Sequence, residues 1–424
     1  MMDLEHIDEE MIGQWNRPGD PMGHLFKADG NAGPNNIEGP WSTSDEKIIV
    51  ANTDCPMWTI DDRYRFTYQR LTNKWDGPTA LRQMVESVQT LRNAAVASGN
   101  WAPVRAYFMA NFDYQKTMDY IAIRNWAEPW DDVFHNHFLY QRATDGKWLV
   151  IAQDKDMEFG EFFGWAAGKS FYIGEEGNPD NRLGWNMLKD AFIKAFRAEL
   201  WARIVELDAT GPLNPTNYGA KVDAAASVFS LTDYLASPAA SAVCSFPAEL
   251  AKMRTYGQCR HPDILDVQDA AACTATTCGL KGDYYQTMAG DATQDFTKAT
   301  LKLSRVDPRV NFDFGTGSPG AGVPTDGFQV RWTGKIVPRY TETYTFYTQS
   351  DDGVRLWVNG VQLVNKWMIQ GATEWNGTIS LTAGQPVTVV MEYFDSTTTA
   401  SAKLLWSSAT QCKQPIPTGR LLPM

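Results

Sequence analysis

The sequence predicts an α+β protein in which a helix-rich region is followed by an antiparallel β-sandwich. In the first part of the chain, apolar residues recur at the spacing of amphipathic helices. After Gly279, short segments of alternating apolar and polar residues follow one another between Gly, Asn and Asp turns, which is typical of a sandwich. A length of 424 residues fits two domains. We therefore expect a helix-rich domain over 1–262, a linker over 263–278 and a sandwich over 279–424.

Three helices are expected in the first domain, each with an apolar stripe that would face the core. The first begins near Pro78 and carries its stripe over 81–91, and the second covers 113–126. The third stripe is the clearest, and it consists of Leu188, Ala191, Phe192, Ala195, Phe196, Leu200, Ile204 and Leu207.

Strands are expected at 64–68, where apolar and polar residues alternate, and in a hairpin. Segments 137–140 and 147–151 flank Asp145-Gly146, which is a strong hairpin signal. A turn centred there would place Asn136 opposite Lys155, and a slip of one residue would place it opposite Asp154 or Asp156. In the sandwich, strands are expected at 329–332, 343–347, 354–358, 378–381, 387–393 and 402–406.

The composition excludes some functions and leaves the compartment open. The net charge is −12 and no basic run occurs, which argues against nucleic-acid binding. No stretch of about 20 apolar residues exists, so no membrane span is predicted. The start of the chain is acidic, unlike a signal peptide, which taken alone indicates the cytoplasm.

The cysteines point to an oxidising compartment instead. Six are present, an even number in largely loop-like sequence, and they are Cys55, Cys244, Cys259, Cys273, Cys278 and Cys412. We expect Cys244 to pair with Cys259, and Cys412 to pair with Cys273 or Cys278. The alternative is six unpaired thiols.

Polar residues cluster at the open end of the predicted hairpin. Asp131 and Asn136 precede its first strand, and Asp154 and Asp156 follow its second. Phosphoryl transfer needs a carboxylate to position the nucleophile and oxygen ligands to hold magnesium on the phosphates. Asp131 and Asn136 are five residues apart, and a hairpin and a further Asp follow, which is the order found in protein kinases. Solvated loop carboxylates are the simpler alternative for each residue alone.

At these residues the sequence resembles the CotH-type kinases, a spore-coat kinase-like family. The resemblance covers roughly 1–262 and implies an atypical protein-kinase fold that phosphorylates proteins with ATP and magnesium. Asp131 would be the catalytic residue, Asn136 and Asp154 would bind magnesium, and Asp156 would support them. Asp132 is a rival for Asp131, but its spacing to Asn136 is four. The similar segments are 23–27, 64–68, 130–140, 146–148, 153–156 and 159–160.

One departure from the family bears on activity. The family places an N-terminal lobe with an ATP-binding lysine before the segment that 2–9 resembles, whereas the first lysine here is Lys27. We therefore expect a truncated copy with weak or absent activity, which would also have lost its signal peptide.

The second candidate site is Asp351-Asp352, between two sandwich strands. Adjacent carboxylates in a loop usually stay solvated, but calcium, with six to eight oxygen ligands, favours such a pair. The segments 279–285, 328–334, 343–346, 350–360 and 392–394 resemble the PA-fourteen (protective-antigen) domain. In lectin-like members of that family an Asp-Asp pair, often joined by a cis peptide, holds calcium that binds sugar hydroxyls. Asp351 and Asp352 match the pair, and Asp395 is a weaker candidate for a third ligand.

These resemblances lead to one preferred function and two alternatives. The preferred one is a secreted or surface protein that joins a CotH-like kinase to a calcium-dependent glycan-binding sandwich. It would act on a protein substrate or bind a surface glycan, outside the cell or at its surface. The first alternative is an inert, surface-binding or adhesion protein in which the kinase-like part is scaffold. The second is a hydrolase, although no Gly-x-Ser-x-Gly motif is present.

Overall fold

The structure is a computed structural model, and it divides the chain into two units. The first is Met1–Ala240 and the second is Ser241–Met424. The structure describes residues 21–28, 61, 64, 68–72, 77–127, 137–152, 187–228, 246–274 and 276–424. Within them no helix is long and apolar enough to cross a membrane. The α+β prediction is confirmed, with helices predominating in the first unit and antiparallel sheets in the second.

The described part of the first unit contains six helices and a small sheet. The helices are α1 (Thr79–Ser98), α2 (Ala102–Asn111), α3 (Tyr114–Ala127), α4 (Met187–Ala195), α5 (Arg197–Ala209) and α6 (Pro215–Val228). The sheet is antiparallel in the order β2-β1-β3-β4, with β1 (His24–Ala28), β2 (Tyr68–Arg70), β3 (His137–Gln141) and β4 (Trp148–Ala152).

The predicted helices are confirmed as α1, α3 and the pair α4–α5. All eight residues of the third stripe are buried. The helix is nevertheless broken at Phe196, whose φ of −124° and ψ of 28° lie outside the helical region. Its ring packs on Phe192, with the two centroids 4.7 Å apart, and Phe108 meets Phe192 edge-on at 5.2 Å. Apolar periodicity continues through such a break, so the sequence did not reveal it.

The strand predicted at 64–68 is wrong at its first residue, whereas the hairpin is confirmed. Tyr64 is helical and buried, Tyr68 lies in a strand, and 65–67 are outside the described residues. A short alternating segment does not distinguish these states, because one buried tyrosine fits either. The hairpin pairs His137 with Ala152, and its register is shifted by two residues from the predicted one because the Arg142 N–H donates to the Lys147 carbonyl.

The second unit is a β-sandwich with a long helix, α7 (Phe246–Ala271). One sheet has the order β11-β10-β13-β8-β5-β6 with β16 beside β8, and the other has the order β12-β9-β14-β15 with β7 beside β14. The strands are β5 (Leu280–Gln286), β6 (Thr300–Asp307), β7 (Asn311–Gly315), β8 (Phe328–Ile336), β9 (Glu342–Asp351), β10 (Val354–Val358), β11 (Val361–Lys366), β12 (Thr373–Leu381), β13 (Val387–Asp395), β14 (Ala400–Ser407), β15 (Gln414–Pro415) and β16 (Leu421–Pro423).

Alternate residues of these strands form one apolar core between the sheets. Trp332 of β8, Tyr344 of β9 and Trp406 of β14 are fully buried in it. Each of the six segments predicted as a sandwich strand lies within an observed strand. This agreement follows from the period-two pattern, which fixes which side chains face the core.

The first half of the predicted linker, 263–271, is the last part of α7. The sequence there lacks a strong apolar stripe because polar contacts fix the helix to the sandwich. Asp266 and Asp269 both accept hydrogen bonds from Arg339, and Arg420 donates to Asp269 through Nε at 2.8 Å. Gln414 also donates to Asp266 at 2.8 Å.

Both expected disulfide pairings are wrong. The structure joins Cys259 of α7 to Cys412, and Cys273 to Cys278. Pairing depends on which elements lie side by side, and nothing in the sequence indicated that α7 lies beside the end of β14. Cys55 and Cys244 lie outside the described residues.

Candidate carboxylate site at one end of the β-sandwich

Asp351 and Asp352 lie where β9 turns into β10. Asp351 is the last residue of β9, and Asp352 adopts a left-handed φ of 68°. The peptide bond between them is trans, since no cis bond occurs among the described residues. Gly353 follows, and a Cβ there would lie 2.1 Å from Cε1 of Phe394. The turn therefore requires glycine at 353 and holds Asp352 against the end of β13.

Asp352 connects three loops. It is 3% exposed, and its Oδ1 accepts from the Gln370 N–H at 3.0 Å while its Oδ2 accepts from the Ser396 N–H at 2.6 Å. Its own N–H donates to the Gln370 carbonyl at 2.8 Å. Burial raises the pKa of the Asp352 carboxyl above its usual value, against the effect of these two N–H donors. Each carboxylate oxygen keeps a further lone pair that could face a cation.

Two more carboxylates are fixed by the threonines that follow β13. Asp351 Oδ2 accepts from the Thr399 hydroxyl at 2.8 Å, and Asp326 Oδ1 accepts from the Thr398 N–H at 2.8 Å. Asp326 belongs to this site because Asp395 pairs with Phe328 in the β13–β8 ladder. The residues just before β8 therefore lie beside the end of β13. Sequence reasoning missed Asp326, since no motif surrounds it.

Asp395 is the most unusual member of the group. Its side chain is fully buried, and neither carboxylate oxygen receives a hydrogen bond of normal geometry. Burial, followed by the nearby charges of Asp352, Asp326 and Asp351, raises its pKa to about 7. The Gly327 N–H acts against this shift, but its effect on the pKa is smaller than those of burial and of the three carboxylates. Burying a charged carboxylate without well-formed hydrogen bonds costs free energy, so we expect the Asp395 carboxyl either to bind a cation or to be protonated.

These four aspartates (the Asp cluster: Asp326, Asp351, Asp352 and Asp395) fit calcium by donor chemistry. In the described residues, no group of three or more acidic, histidine or cysteine side chains is placed so that it could hold a metal ion by itself. Calcium, however, takes six to eight oxygens in flexible geometry and accepts backbone, hydroxyl and water oxygens beside carboxylates. The orphaned carboxylate of Asp395 supplies two unused oxygens for such a set.

A groove of about 750 Å³ adjoins the Asp cluster. The 287–294 loop lines it, as does the loop after β11, with Trp367, Met368 and Ile369. Asp326 and Ser396 also line it, so the groove and the cluster share residues. A ligand in the groove would therefore meet the cluster directly.

The first candidate site falls outside the described residues. Asp131, Asp132, Asn136, Asp154 and Asp156 all lie there, so their predicted roles stay predictions. The structure does describe the hairpin between them. His137 and Ala152, the outermost residues of β3 and β4, are paired.

Comparison with known families assigns two successive regions of the chain. Residues 2–261 match the model of the CotH kinase protein family, and residues 278–419 match the PA14 domain. The two matched regions define a protein that combines a kinase-like region with a sandwich of PA14 type. The chain belongs to the CotH kinase protein family and carries a C-terminal PA14 domain.

The relatives cover only part of the chain. The anti-sigma-I factor RsgI3 of Acetivibrio thermocellus is 49% identical over 148 residues, which are 35% of this chain and 22% of that protein. An anti-sigma factor domain-containing protein from Clostridium clariflavum is 40% identical over 35% of this chain and 47% of that chain, with a TM-score of 0.32. A PA14 sugar-binding domain from an RTX adhesin is 19% identical over 35% of this chain and all of that domain, with a TM-score of 0.31.

Proposed function

We propose that the sandwich is a calcium-dependent glycan-binding module of a secreted or surface-exposed protein. The observation that carries this proposal is Asp395, whose buried carboxylate accepts no hydrogen bond of normal geometry and lies near three other aspartates. A divalent cation there would remove the cost of that burial. The two disulfides support an oxidising location.

The residues of the Asp cluster would contribute to calcium binding in different ways. Asp352 is held rigidly by two backbone donors, so it presents its remaining lone pairs at little entropic cost. Asp351 and Asp326 are tied to the 398–399 backbone and hydroxyl, so that loop is fixed together with the carboxylates. Bound calcium supplies open coordination positions that sugar hydroxyls can fill, and the groove would hold the rest of the sugar.

Calcium titration of the full chain by calorimetry tests the first half of this proposal. We expect Asp351→Asn and Asp352→Asn each to weaken calcium binding by about tenfold or more, since each removes a charge from a site built on charge. The matched control is Glu342→Gln. Glu342 lies at the other end of β9, and its oxygens accept from Thr410. Equal calcium affinity in wild type and both Asp variants would exclude the Asp cluster as the calcium site.

For the first unit we propose ATP- and magnesium-dependent phosphoryl transfer to a protein substrate. The family match over 2–261 supports it, as does the paired end of the β3–β4 hairpin, which adjoins Asn136 and Asp154 in sequence. Asp131 would position the substrate hydroxyl, and Asn136, Asp154 and Asp156 would hold magnesium on ATP. The rival proposal is that this unit is an inert scaffold.

Nucleotide binding distinguishes the two proposals. We expect wild type to bind ATP in the presence of magnesium, and Asp154→Ala to lose most of that binding because a metal ligand is removed. Glu206→Gln serves as the control, since its carboxylate on α5 is 64% exposed and contacts only Arg203 among the described ion pairs. Absence of nucleotide binding by wild type would favour the scaffold.

A further inference from the structure

The groove beside the Asp cluster has an apolar rim that the proposed calcium site does not explain. Met288, Met368 and Ile369 line it and are 49%, 47% and 72% exposed. Large apolar side chains gathered at one concave surface commonly mark a ligand contact. They belong to two different loops, those after β5 and β11, so the gathering is a property of the fold and does not reflect a local run of sequence.

Trp367, the tryptophan of the groove, is not an open stacking platform. The Arg355 guanidinium lies over its ring, 3.9 Å from the centroid, and the Phe394 ring meets it at 4.8 Å in a T-shaped arrangement. Its indole N–H donates to the Thr293 carbonyl at 3.1 Å. Trp367 therefore fastens the 287–294 loop to the sheet, and the methionines and Ile369 provide the accessible apolar surface.

The charge of the groove selects against acidic ligands. Asp291 and Asp326 line it, and Asp326 connects it to the other three carboxylates of the Asp cluster. Hydrogen bonds, first from the Thr293 hydroxyl and then from the Asp295 N–H, lower the pKa of Asp291 to about 2, so it is ionised at neutral pH. Lys298 is its one basic neighbour among the described ion pairs, at 3.5 Å. One calcium ion would leave the four cluster carboxylates with a net negative charge.

We propose that the groove binds a neutral sugar residue that carries an acetyl group, with the acetyl methyl among Met288, Met368 and Ile369. The proposal rests on the glycan-binding function proposed above and names its substrate class. The continuity of the groove with the Asp cluster supports it, because Ser396 lines the groove and its N–H donates to Asp352. One sugar could therefore contact calcium through its hydroxyls and the apolar rim through its substituent.

The test compares matched sugars on the full chain with calcium present. Chitotriose and cellotriose differ only in the acetamido group at each C2, and acetylated xylotetraose is compared with its saponified form. Because burying one methyl group contributes about as much as a methylene, we expect the acetylated member of at least one pair to bind roughly fourfold tighter. Ile369→Ser and Met288→Ser should reduce this ratio to below about two and leave calcium affinity unchanged.

Val361→Ser is the control, since Val361 is 51% exposed on β11 and does not line the groove. It should keep the wild-type ratio. If the sugars bind but both pairs show equal affinities, the acetyl inference is overturned and glycan binding stands. If calcium binds and none of these sugars does, both proposals fail for these ligands, and the acetyl inference is withdrawn.

Discussion

Replacing Cys259 and Cys412 together by alanine is expected to lower the free energy of unfolding of the Ser241–Met424 unit by about 3–5 kcal/mol. The two residues are 153 positions apart in sequence, so the bond closes a loop that includes almost the whole sandwich. Without the bond the unfolded chain gains the conformational freedom of that loop, and the native state loses the covalent tie between α7 and the sandwich. Non-covalent contacts, among them Asp266–Arg339 and Asp269–Arg420, would then hold the helix.

Denaturant unfolding of the full chain, combined with hydrogen exchange of α7 peptides, measures this effect. The matched control is the double alanine variant of Cys273 and Cys278, whose loop spans only five positions. Chain entropy predicts about 2 kcal/mol for that short loop. An equal loss in the two variants would contradict the loop-length argument. Unchanged exchange in α7 after loss of Cys259–Cys412 would show that polar contacts suffice to hold the helix.

Helix α7 also marks a part of the fold that the sequence did not predict. Half of the sandwich strands could be predicted because one buried face imposes a period of two on them, as in Val354, Leu356 and Val358. Helix α7 could not be predicted, because a helix is recognised in a sequence by its apolar stripe. The contacts of α7 to the sandwich include aspartates and arginines that are far apart in sequence. The same reason explains the wrong disulfide pairings.

The residues of the candidate sites were likewise predicted only in part. Asp351 and Asp352 were predicted from a contiguous motif, and the structure places them, half-buried and buried respectively, in a turn near Asp395. Asp326 was missed because only the β8–β13 pairing brings it near. The roles of Asp131, Asn136, Asp154 and Asp156 stay predictions, because these residues lie outside the part of the chain that the structure describes.

Calcium-free protein is expected to lose stability as the pH rises from about 4 to 7, by up to about 4 kcal/mol from Asp395 alone. The pKa of Asp395 is about 7 in the folded state and has a reference value of 3.8. Between these values the folded state holds a proton that the unfolded state has released, so raising the pH favours unfolding. Asp352, Asp326 and Asp351 lie near the ionised carboxylate, which accepts no hydrogen bond of normal geometry, and the effect of the Gly327 N–H is too weak to offset its charge.

Asp395→Asn isolates this effect. Its stability should exceed that of wild type at pH 8 in the presence of a chelator, and the difference should shrink towards pH 4. Asp266, whose pKa is raised to about 6 mainly by burial, titrates in both proteins and therefore cancels in the difference.

With calcium at pH 8, wild type should be more stable than Asp395→Asn, because the cation binds the carboxylate of wild type more strongly than the amide of the variant. The measurement is thermal or denaturant unfolding of both proteins across this pH range, with chelator and with calcium. Equal stabilisation of the two proteins by calcium would exclude Asp395 as a ligand. A flat difference curve in chelator would mean that the carboxylate is paired in solution, and the main argument for a cation at this end of the sandwich would then be lost.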